Sequence, residues 1–387
     1  MTPAARHAAA IEILDRHLAG EAAEKTLINW ARANRFAGSG DRHAIRDLVY
    51  EAIRCRASFA HLGGALTGRG LMIGRLRSAG LDPSEIFTGD RYAPAPLNEA
   101  ENTAPLAVEG CKALDCPEWL WAHFQQSLGG DAEAVLRALR HRAPVFLRVN
   151  RLKSDCPAAI SALAEDGIEA RPHHLCPTAL EVTGNPRRVM NSRAFLDGLV
   201  ELQDAASQAV VEALPLADGD RVLDYCAGGG GKTLAMVART RLDLFAHDVS
   251  SVRLSDLPAR AARAGAQVTL LAQGELADAG PFDLVLADAP CSGSGSWRRA
   301  PEAKWRLTAV RLAELTALQS QVLSSAARLV RSGGYLAYAT CSLLHEENGQ
   351  RIETFLADNP GWQCRDHRLL TPLDGGDGFF YAILTRN

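Results

Sequence analysis

The stretch Asp224-Tyr-Cys-Ala-Gly-Gly-Gly-Gly-Lys-Thr233 decides how this chain is read. Before it, the apolar run Arg221-Val-Leu-Asp224 reads as a buried strand, and after it a helical pattern begins at Thr233 and continues through Ala238. A strand, a glycine turn and a helix start describe one kind of ligand site. Glycines let the backbone approach a bulky ligand closely. In open α/β sheets such sites sit beyond the carboxyl ends of the strands.

Four readings compete for this loop. A Walker A phosphate loop needs Gly-x-x-x-x-Gly-Lys-[Ser/Thr]. Gly231-Lys232-Thr233 fits its tail, but Cys226 stands where the first glycine must be. A dinucleotide fingerprint needs Gly-x-Gly-x-x-Gly, and its third glycine would fall on Thr233. A third reading is a plain glycine turn with no ligand. The fourth is a loop that wraps S-adenosyl-L-methionine, which wants an acid at the end of the next strand to bond ribose hydroxyls. Asp248 ends the run Leu242-Asp-Leu-Phe-Ala-His-Asp248, as that reading requires.

Outward from the loop, strand and helix patterns alternate to the C-terminus. Strands are expected at 222–224, 244–248, 268–271, 282–287, 335–340, weakly near Gln363, and at 379–384, with helices between them, notably 305–330 and 345–356. Such alternation means a parallel sheet with helices on both faces. Two further strand ends carry unusual residues. Phe282-Asp-Leu-Val-Leu-Ala287 runs into Asp288-Ala-Pro-Cys-Ser-Gly, and Tyr335-Leu-Ala-Tyr-Ala339 runs into Thr340-Cys341-Ser342. A lone cysteine in an apolar setting is usually an inert small hydrophobe. Two, each at a strand end beside turn residues, point to reactive thiols, Cys291 and Cys341, on the same edge as the glycine loop.

Toward the N-terminus the pattern changes. Residues 1–78 read as helices, with Ile45, Leu48, Val49 and Ile53 on one face and Asp41 as their expected N-cap. Twelve Lys/Arg against seven Asp/Glu in residues 1–77 give a local basic excess that suits either a solvated bundle surface or an RNA-facing one. Residues 79–117, rich in Pro, Gly and small polar residues, read as a linker. Residues 118–203 read as a small α+β module. Between Val135 and Lys153 lie six basic residues and no acid, and Arg148, Arg151 and Lys153 are its expected RNA contacts, phosphate-directed and blind to sequence. Residues 204–387 hold the alternating α/β stretch.

Composition narrows the classes. With 47% hydrophobic residues the chain can bury large cores, and no apolar run comes near the roughly eighteen residues of a membrane span. The start Met1-Thr-Pro-Ala-Ala-Arg leads into an amphipathic pattern rather than a signal peptide. Nine scattered cysteines suit a reducing cytoplasm, and none forms a metal-binding spacing, so no metal is expected. A net charge of −3 gives no whole-chain signal for nucleic acid.

These residues together resemble the S-adenosylmethionine-dependent RNA cytosine-5 methyltransferases, the family of the Sun/Fmu ribosomal-RNA enzymes and the nucleolar NOL/NOP/Sun proteins. The matching stretches are 224–233, Asp288-Ala-Pro-Cys-Ser-Gly, Tyr338-Ala-Thr-Cys-Ser342, Glu346-Glu-Asn348, Arg299-Ala-Pro-Glu-Ala-Lys-Trp305, Gln203-Asp-Ala-Ala-Ser-Gln208 and Asp377-Gly-Phe-Phe380, spread over about residues 140–387. Asp41-Arg-His-Ala-Ile-Arg-Asp-Leu-Val-Tyr50 is similar to the family's NusB-like helical extension, here shortened. The resemblance implies a Rossmann-like methyltransferase domain with a small α+β RNA-binding module and an N-terminal helical domain. It implies S-adenosyl-L-methionine held by Cys226, Ala227, Gly228, Gly229, Gly230, Gly231, Lys232, Asp248, Arg253, Gln273 and Asp288. It makes Cys341 the nucleophile and Cys291 the thiol that assists release of the methylated base; the residues alone do not order the two. Asp288 would protonate N3 of the base, a role that wants its pKa raised in a closed site, and Lys232 would hold the Asp288 region. The expected partner is RNA, ribosomal RNA before transfer RNA, bound by a monomer without membrane or metal. A rival of another class is a non-catalytic RNA-binding assembly factor on a decayed methyltransferase fold. Two departures bear on cofactor affinity rather than reaction class. Gly228-Gly229 replaces the family's Ala-Pro, and Gln273 stands where the third strand's acid is usual.

Overall fold

A computed structural model describes residues 1–103 and 105–386. Ala104, inside the expected linker, and Asn387, the end of the expected methyltransferase stretch, lie outside the described residues. The chain divides into two compact units. One comprises Met1–Gln125, Gly129–Arg142 and Trp297–Trp305; the other comprises Gln126–Leu128, Ala143–Ser296 and Arg306–Asn387.

The first unit is helical. Five helices, Pro3–Leu18, Ala23–Ala33, Ser39–Arg54, Arg56–Gly63 and Gly68–Ser78, close on a core that includes Ile13, Leu14, Ile45, Val49, Ile53 and Leu71. Apolar residues at helical spacing bury one stripe of Ser39–Arg54, as the sequence leads one to expect, while Gly68–Ser78 is buried over the consecutive residues 70–74. Asp41 does not cap its helix. Gly38 is the N-cap, and Asp41, inside the first turn, accepts bonds from the Met1 ammonium and Arg6. Among the described residues, the stretch 79–117 carries only single-turn elements, Pro83–Glu85, Glu99–Asn102 and Gly110–Ala113. Residues 297–305 come from far along the chain and fold with these helices. Arg54 Nε donates to the Arg298 carbonyl (2.8 Å), Lys304 Nζ to the Arg54 carbonyl (2.9 Å) and the Trp305 indole to the Ile53 carbonyl (2.6 Å).

The second unit contains two sheets. The smaller has four antiparallel strands, β1 (Val145–Val149), β2 (Glu169–Pro172), β3 (Ala179–Gly184) and β4 (Val200–Leu202), in the order β2-β3-β1-β4. The larger has seven: β5 (Arg221–Asp224), β6 (Asp243–Ala246), β7 (Thr269–Leu270), β8 (Phe282–Asp288), β9 (Val330–Thr340), β10 (Trp362–Leu370) and β11 (Phe379–Arg386). Their order is β10-β11-β9-β8-β5-β6-β7. Along the run β9-β8-β5-β6-β7 neighbouring strands pair in parallel, but β11 runs antiparallel to β9 and to β10. The sheet is therefore mixed, not wholly parallel, because β10 returns to β11 through the tight turn at Pro372–Asp374 with no crossover helix. The expected helix over 305–330 also breaks, at Leu307-Thr308, where Thr308 caps a new helix Ala309–Ala327.

Alternate residues of the sheet face opposite layers. Leu223, Val285, Leu336, Tyr338 and Ala382 meet the helices Ala309–Ala327 and Gly349–Asp358. Val222, Leu284, Leu286, Ala337 and Ile383 meet Ala205–Glu212 and Gly231–Val237. Covering on both faces makes the central strands β5 and β8 apolar almost throughout, which is why they read as runs, whereas the edge strands β7 and β10 are largely exposed. The result is a Rossmann-like α/β layer structure, with β5, β6, β8 and β9 ending on one edge. Among the described residues no helix is long and apolar enough to cross a membrane.

Candidate active site

At the end of β5 the chain turns through the glycine loop into the helix Gly231–Val237. Gly230 sits at φ +77°, the left-handed region, and a Cβ there would lie 2.2 Å from Leu257 Cδ1. Only glycine fits both the dihedral and the space. Asp224 is buried beneath the loop. Thr233 Oγ1 donates to its Oδ2 (2.6 Å), while its Oδ1 has no partner. Burial pushes the Asp224 carboxyl up to about 7, and the Thr233 hydrogen bond only partly opposes this.

Asp248 lies just past β6, where the sequence placed it, and is buried. Its carboxylate accepts the Gly228 and Ser250 N–H groups (3.0 Å each) and pairs with Arg253 (3.1 Å). Asp248 thus fastens the loop itself, and Arg253 is spent on Asp248. Arg260 donates to the Gly229 carbonyl. Gln273 begins a short 3₁₀ turn after β7 and is exposed. The half-buried Cys226 thiol is pushed up by burial first and by the carboxylates of Asp224, Asp288 and Asp248 after it, so it rests as an unreactive thiol.

The other strand ends bring the remaining candidates together. Cys291 and Cys341 are fifty residues apart in sequence, and their sulfurs lie 3.3 Å apart. The strands β8 and β9 are neighbours in register, Asp288 opposite Ala339, which forces the two loops side by side. Cys341 is held below the ordinary thiol range, first by the Cys291 hydrogen bond, against burial and the Asp288 charge and with help from Lys232. Cys291 is raised well above that range by the same bond and by burial. The two sulfurs share one hydrogen bond, which favours a thiolate on one and a proton on the other, with Cys341 the lowered partner. Lys232 Nζ binds Asp288 Oδ2 at 2.7 Å and lies 4.7 Å from the Phe379 ring centroid. Burial would lower the Lys232 pKa, but the Asp288 charge and hydrogen bond leave it raised. A fixed ammonium and a thiolate-prone sulfur therefore share one edge of the sheet.

The expected RNA contacts fare differently. Arg148 does not project outward; it is 3% exposed. The strand β1 presents Leu147 and Val149 to the core of its own module, and Arg148 points the other way, into a cavity of about 20 Å³ lined also by Arg151, Thr178, Gln208 and Arg239. That is room for a water molecule. Burial lowers its pKa to about 10. Lys153 donates to the carbonyls of Asp197 and Arg263 (3.0 and 2.6 Å). Arg151 is exposed. Of the other basic residues in the acid-free run, Arg137, Arg140 and Arg142 pair with Glu133, Asp115 and Asp47. Acids outside the run, two of them distant in sequence, neutralise half of the stripe, which a count within the run does not reveal.

Sequence reasoning assigned no role to the buried polar residues flanking the thiols: Ser292, Ser294, Thr340, Ser342, Glu347 and Asn348. Their signal was available. A run of polar side chains directly after a strand that is apolar throughout must be bonded to something inside.

Residues 211–385 match the family described as 16S rRNA methyltransferase RsmB/F, and residues 116–189 match the ferredoxin-like domain of RsmF/B-like methyltransferases. The chain is 36% identical over 285 residues to the ribosomal RNA small subunit methyltransferase B of Citrobacter koseri, covering 70% of this chain and 66% of that protein. The same-named protein of Pectobacterium carotovorum is 34% identical over 286 residues, with the same coverage of 70% and 66%. The chain therefore spans just under two thirds of the length of these relatives. Among solved structures, PH0851 superposes with a TM-score of 0.78 at 25% identity, covering 100% of this chain and 99% of that one. A methyltransferase homologue from Pyrococcus horikoshii superposes at 0.62 with 25% identity, over 72% and 97%. The chain belongs to the RsmB/F methyltransferase family, whose motifs it carries.

Proposed function

We propose that this protein transfers the methyl group of S-adenosyl-L-methionine to carbon 5 of a cytosine in ribosomal RNA, through a temporary bond between Cys341 and the base. The observation that carries this reading is the pair of thiols, 3.3 Å apart, at adjacent strand ends. The names of the relatives, which act on the small ribosomal subunit's RNA, support the choice of RNA, and the cytoplasm is the corresponding compartment.

The residues around the glycine loop fit the cofactor. Asp224 keeps a buried carboxylate oxygen without a partner under the loop, and the loop offers backbone rather than side chains. The loop 226–231 and Asp248 would hold it, with Gln273 and Asp288 at the rim and Arg253 acting through Asp248. When bound it supplies an electrophilic methyl group.

Carbon 5 of cytosine is a poor nucleophile. The Cys341 thiolate adds to carbon 6, forming the S–C6 bond and moving the C5–C6 π pair toward carbon 5. Asp288, held by Lys232, must carry a proton for this step, and it donates that proton to N3 as negative charge spreads onto the ring. Carbon 5 then takes the methyl group, whose bonding pair stays on the cofactor's sulfur as a neutral thioether. The C5 proton passes to water, N3 returns its proton to Asp288, and the C5–H pair becomes the C5–C6 π bond as the S–C6 bond breaks. This returns the aromatic base and frees Cys341 as a thiolate, and Cys291 assists release by donating its S–H to that sulfur. The base must leave any stack to reach the sulfur, so an unpaired or flipped-out cytosine is the target.

Purified protein with labelled S-adenosyl-L-methionine should place 5-methylcytidine in unmethylated small-subunit rRNA, read by nucleoside mass spectrometry. Labelling of transfer RNA alone would move the reading to that substrate. Labelling of no RNA, with no cofactor binding, would sink it in favour of a non-catalytic RNA-binding factor.

A further inference from the structure

We propose that Glu347 is a positioning residue that clamps the two thiol-bearing loops to each other and so sets the contact between Cys291 and Cys341. This rests on the two-thiol reading above. Glu347 is wholly buried in the 3₁₀ turn His345–Glu347, and its backbone is pinned to β9 by the Tyr338 hydroxyl, which donates to the Glu347 carbonyl (2.7 Å). Its carboxylate collects four donors. Oε1 accepts the Ser292 N–H (2.8 Å) and Gln319 Nε2 (2.9 Å); Oε2 accepts the hydroxyls of Ser292 and Ser342 (2.5 Å each).

Ser292 follows Cys291 in the chain, and Ser342 follows Cys341. One carboxylate therefore holds the residue after each thiol, across fifty residues of sequence between the two loops. A buried acid serving only the fold needs its lone pairs filled, by any donors. Here three of its four bonds land on the two thiol loops, and the fourth, from Gln319, braces the carboxylate from the helix Ala309–Ala327. Asn348, next in the chain, repeats the tie on one side: Thr340 Oγ1 donates to it (2.6 Å) and its amide donates to the Ser342 carbonyl (2.8 Å).

Two consequences follow for the sulfurs. The Cys291–Cys341 hydrogen bond, which depresses one thiol and raises the other, exists only while both loops hold their places. The Glu347 charge also lies on the Cys291 side, where it further disfavours a second thiolate. The residue thus keeps one sulfur ready and the other protonated.

The Glu347→Gln variant separates clamp from charge. Its amide can accept from the Ser292 N–H and Gln319 while donating to the two serine hydroxyls, which turn to accept. The Glu347→Ala variant breaks every bond. The first readout needs neither RNA nor cofactor: the iodoacetamide alkylation rate of each cysteine in the free protein, against pH, by peptide mass spectrometry. Wild type should alkylate Cys341 ahead of Cys291 at neutral pH. Glu347→Ala should slow Cys341 about tenfold, shift its profile to higher pH and erase the preference. Glu347→Gln should keep the preference. In turnover, Glu347→Ala should lose about a hundredfold in kcat with cofactor Kd unchanged, as expected for misplacement of reacting groups by about an ångström. If Glu347→Ala does not fold, the Ser292→Ala/Ser342→Ala double variant removes both hydroxyl bonds and should show the same loss of preference. Unchanged Cys341 preference in Glu347→Ala or in the double variant, or a Glu347→Gln variant as impaired as Glu347→Ala, overturns the proposal. Because alkylation is read on the free protein, its outcome stands apart from whether the substrate is RNA.

Discussion

At the ends of β8 and β9 polar side chains close on one another, whereas at the ends of β5 and β6 the backbone forms the site. On the thiol side Glu347 gathers four donors, and Ser294 Oγ meets Ser342 Oγ (2.9 Å) and accepts the Leu343 N–H (2.8 Å). On the glycine side Asp248 fastens the loop by accepting the Gly228 N–H, and Asp224 keeps an unpartnered oxygen within the protein. The difference follows from what each side must do. Groups that make and break a bond to carbon must be placed before the substrate arrives, and a satisfied buried network is rigid. A site for a bulky cofactor needs open backbone and unspent acceptors, and it tolerates adjustment.

The largest effect that sharpens this contrast is loss of the thiolate. Cys341→Ala should cost at least about a thousandfold in methyl transfer while cofactor binding, measured by calorimetry, is unchanged. Loss of cofactor binding in that variant would mean that the two sides are one unit.

Next come two glycines, one on each side. A Cβ on Gly295 would sit 2.1 Å from the Gly378 carbonyl oxygen, which is backbone and cannot swing aside. Gly295→Ala should therefore push the thiol loop away and cut kcat about a hundredfold, with cofactor affinity intact. A Cβ on Gly230 would meet the Leu257 side chain at 2.2 Å, at a positive φ. Gly230→Ala should instead weaken cofactor binding about tenfold and leave the Cys341 alkylation preference as in wild type. If both variants damage both readouts, the contrast breaks.

How much of this was legible depends on the range of the signal. The glycine loop, Asp248, Asp288 and both cysteines could be placed because each follows directly from an apolar run, and the ends of parallel strands share an edge. Which thiol is the more acidic was not legible, since the answer lies in a contact between residues fifty apart. The clamp on Ser292 reaches across 55 residues and was hidden for the same reason. Arg148 shows a different limit. In β1 it stands on the face opposite Leu147 and Val149, and the alternation of a strand does not say whether that face is covered. The antiparallel β11 was hidden too, because an apolar strand buried on both faces carries no mark of its direction.

The smallest expected effect is a pH trend on the glycine side. Burial raises the Asp224 carboxyl from its ordinary 3.8 to about 7 in the folded state. Between those values the folded chain keeps a proton that the unfolded chain has released. The stabilising share of this group is therefore full at acid pH and lost as pH rises through about 7. Asp224→Asn removes the titration. The wild-type Tm minus the variant Tm should fall by about 2–4 °C between about pH 5 and about pH 8. A flat difference would show that Asp224 is ionised in the folded protein throughout.

The most direct test of the central claim is to look for the covalent bond itself. Cys291→Ala protein incubated with unmethylated rRNA and S-adenosyl-L-methionine should accumulate a protein–RNA adduct that survives denaturing electrophoresis, linked by peptide mapping to Cys341. The Cys291→Ala/Cys341→Ala protein should form none. An adduct through Cys291 in the Cys341→Ala protein would reverse the roles of the two thiols, and no adduct in any variant that still methylates RNA would contradict the covalent route.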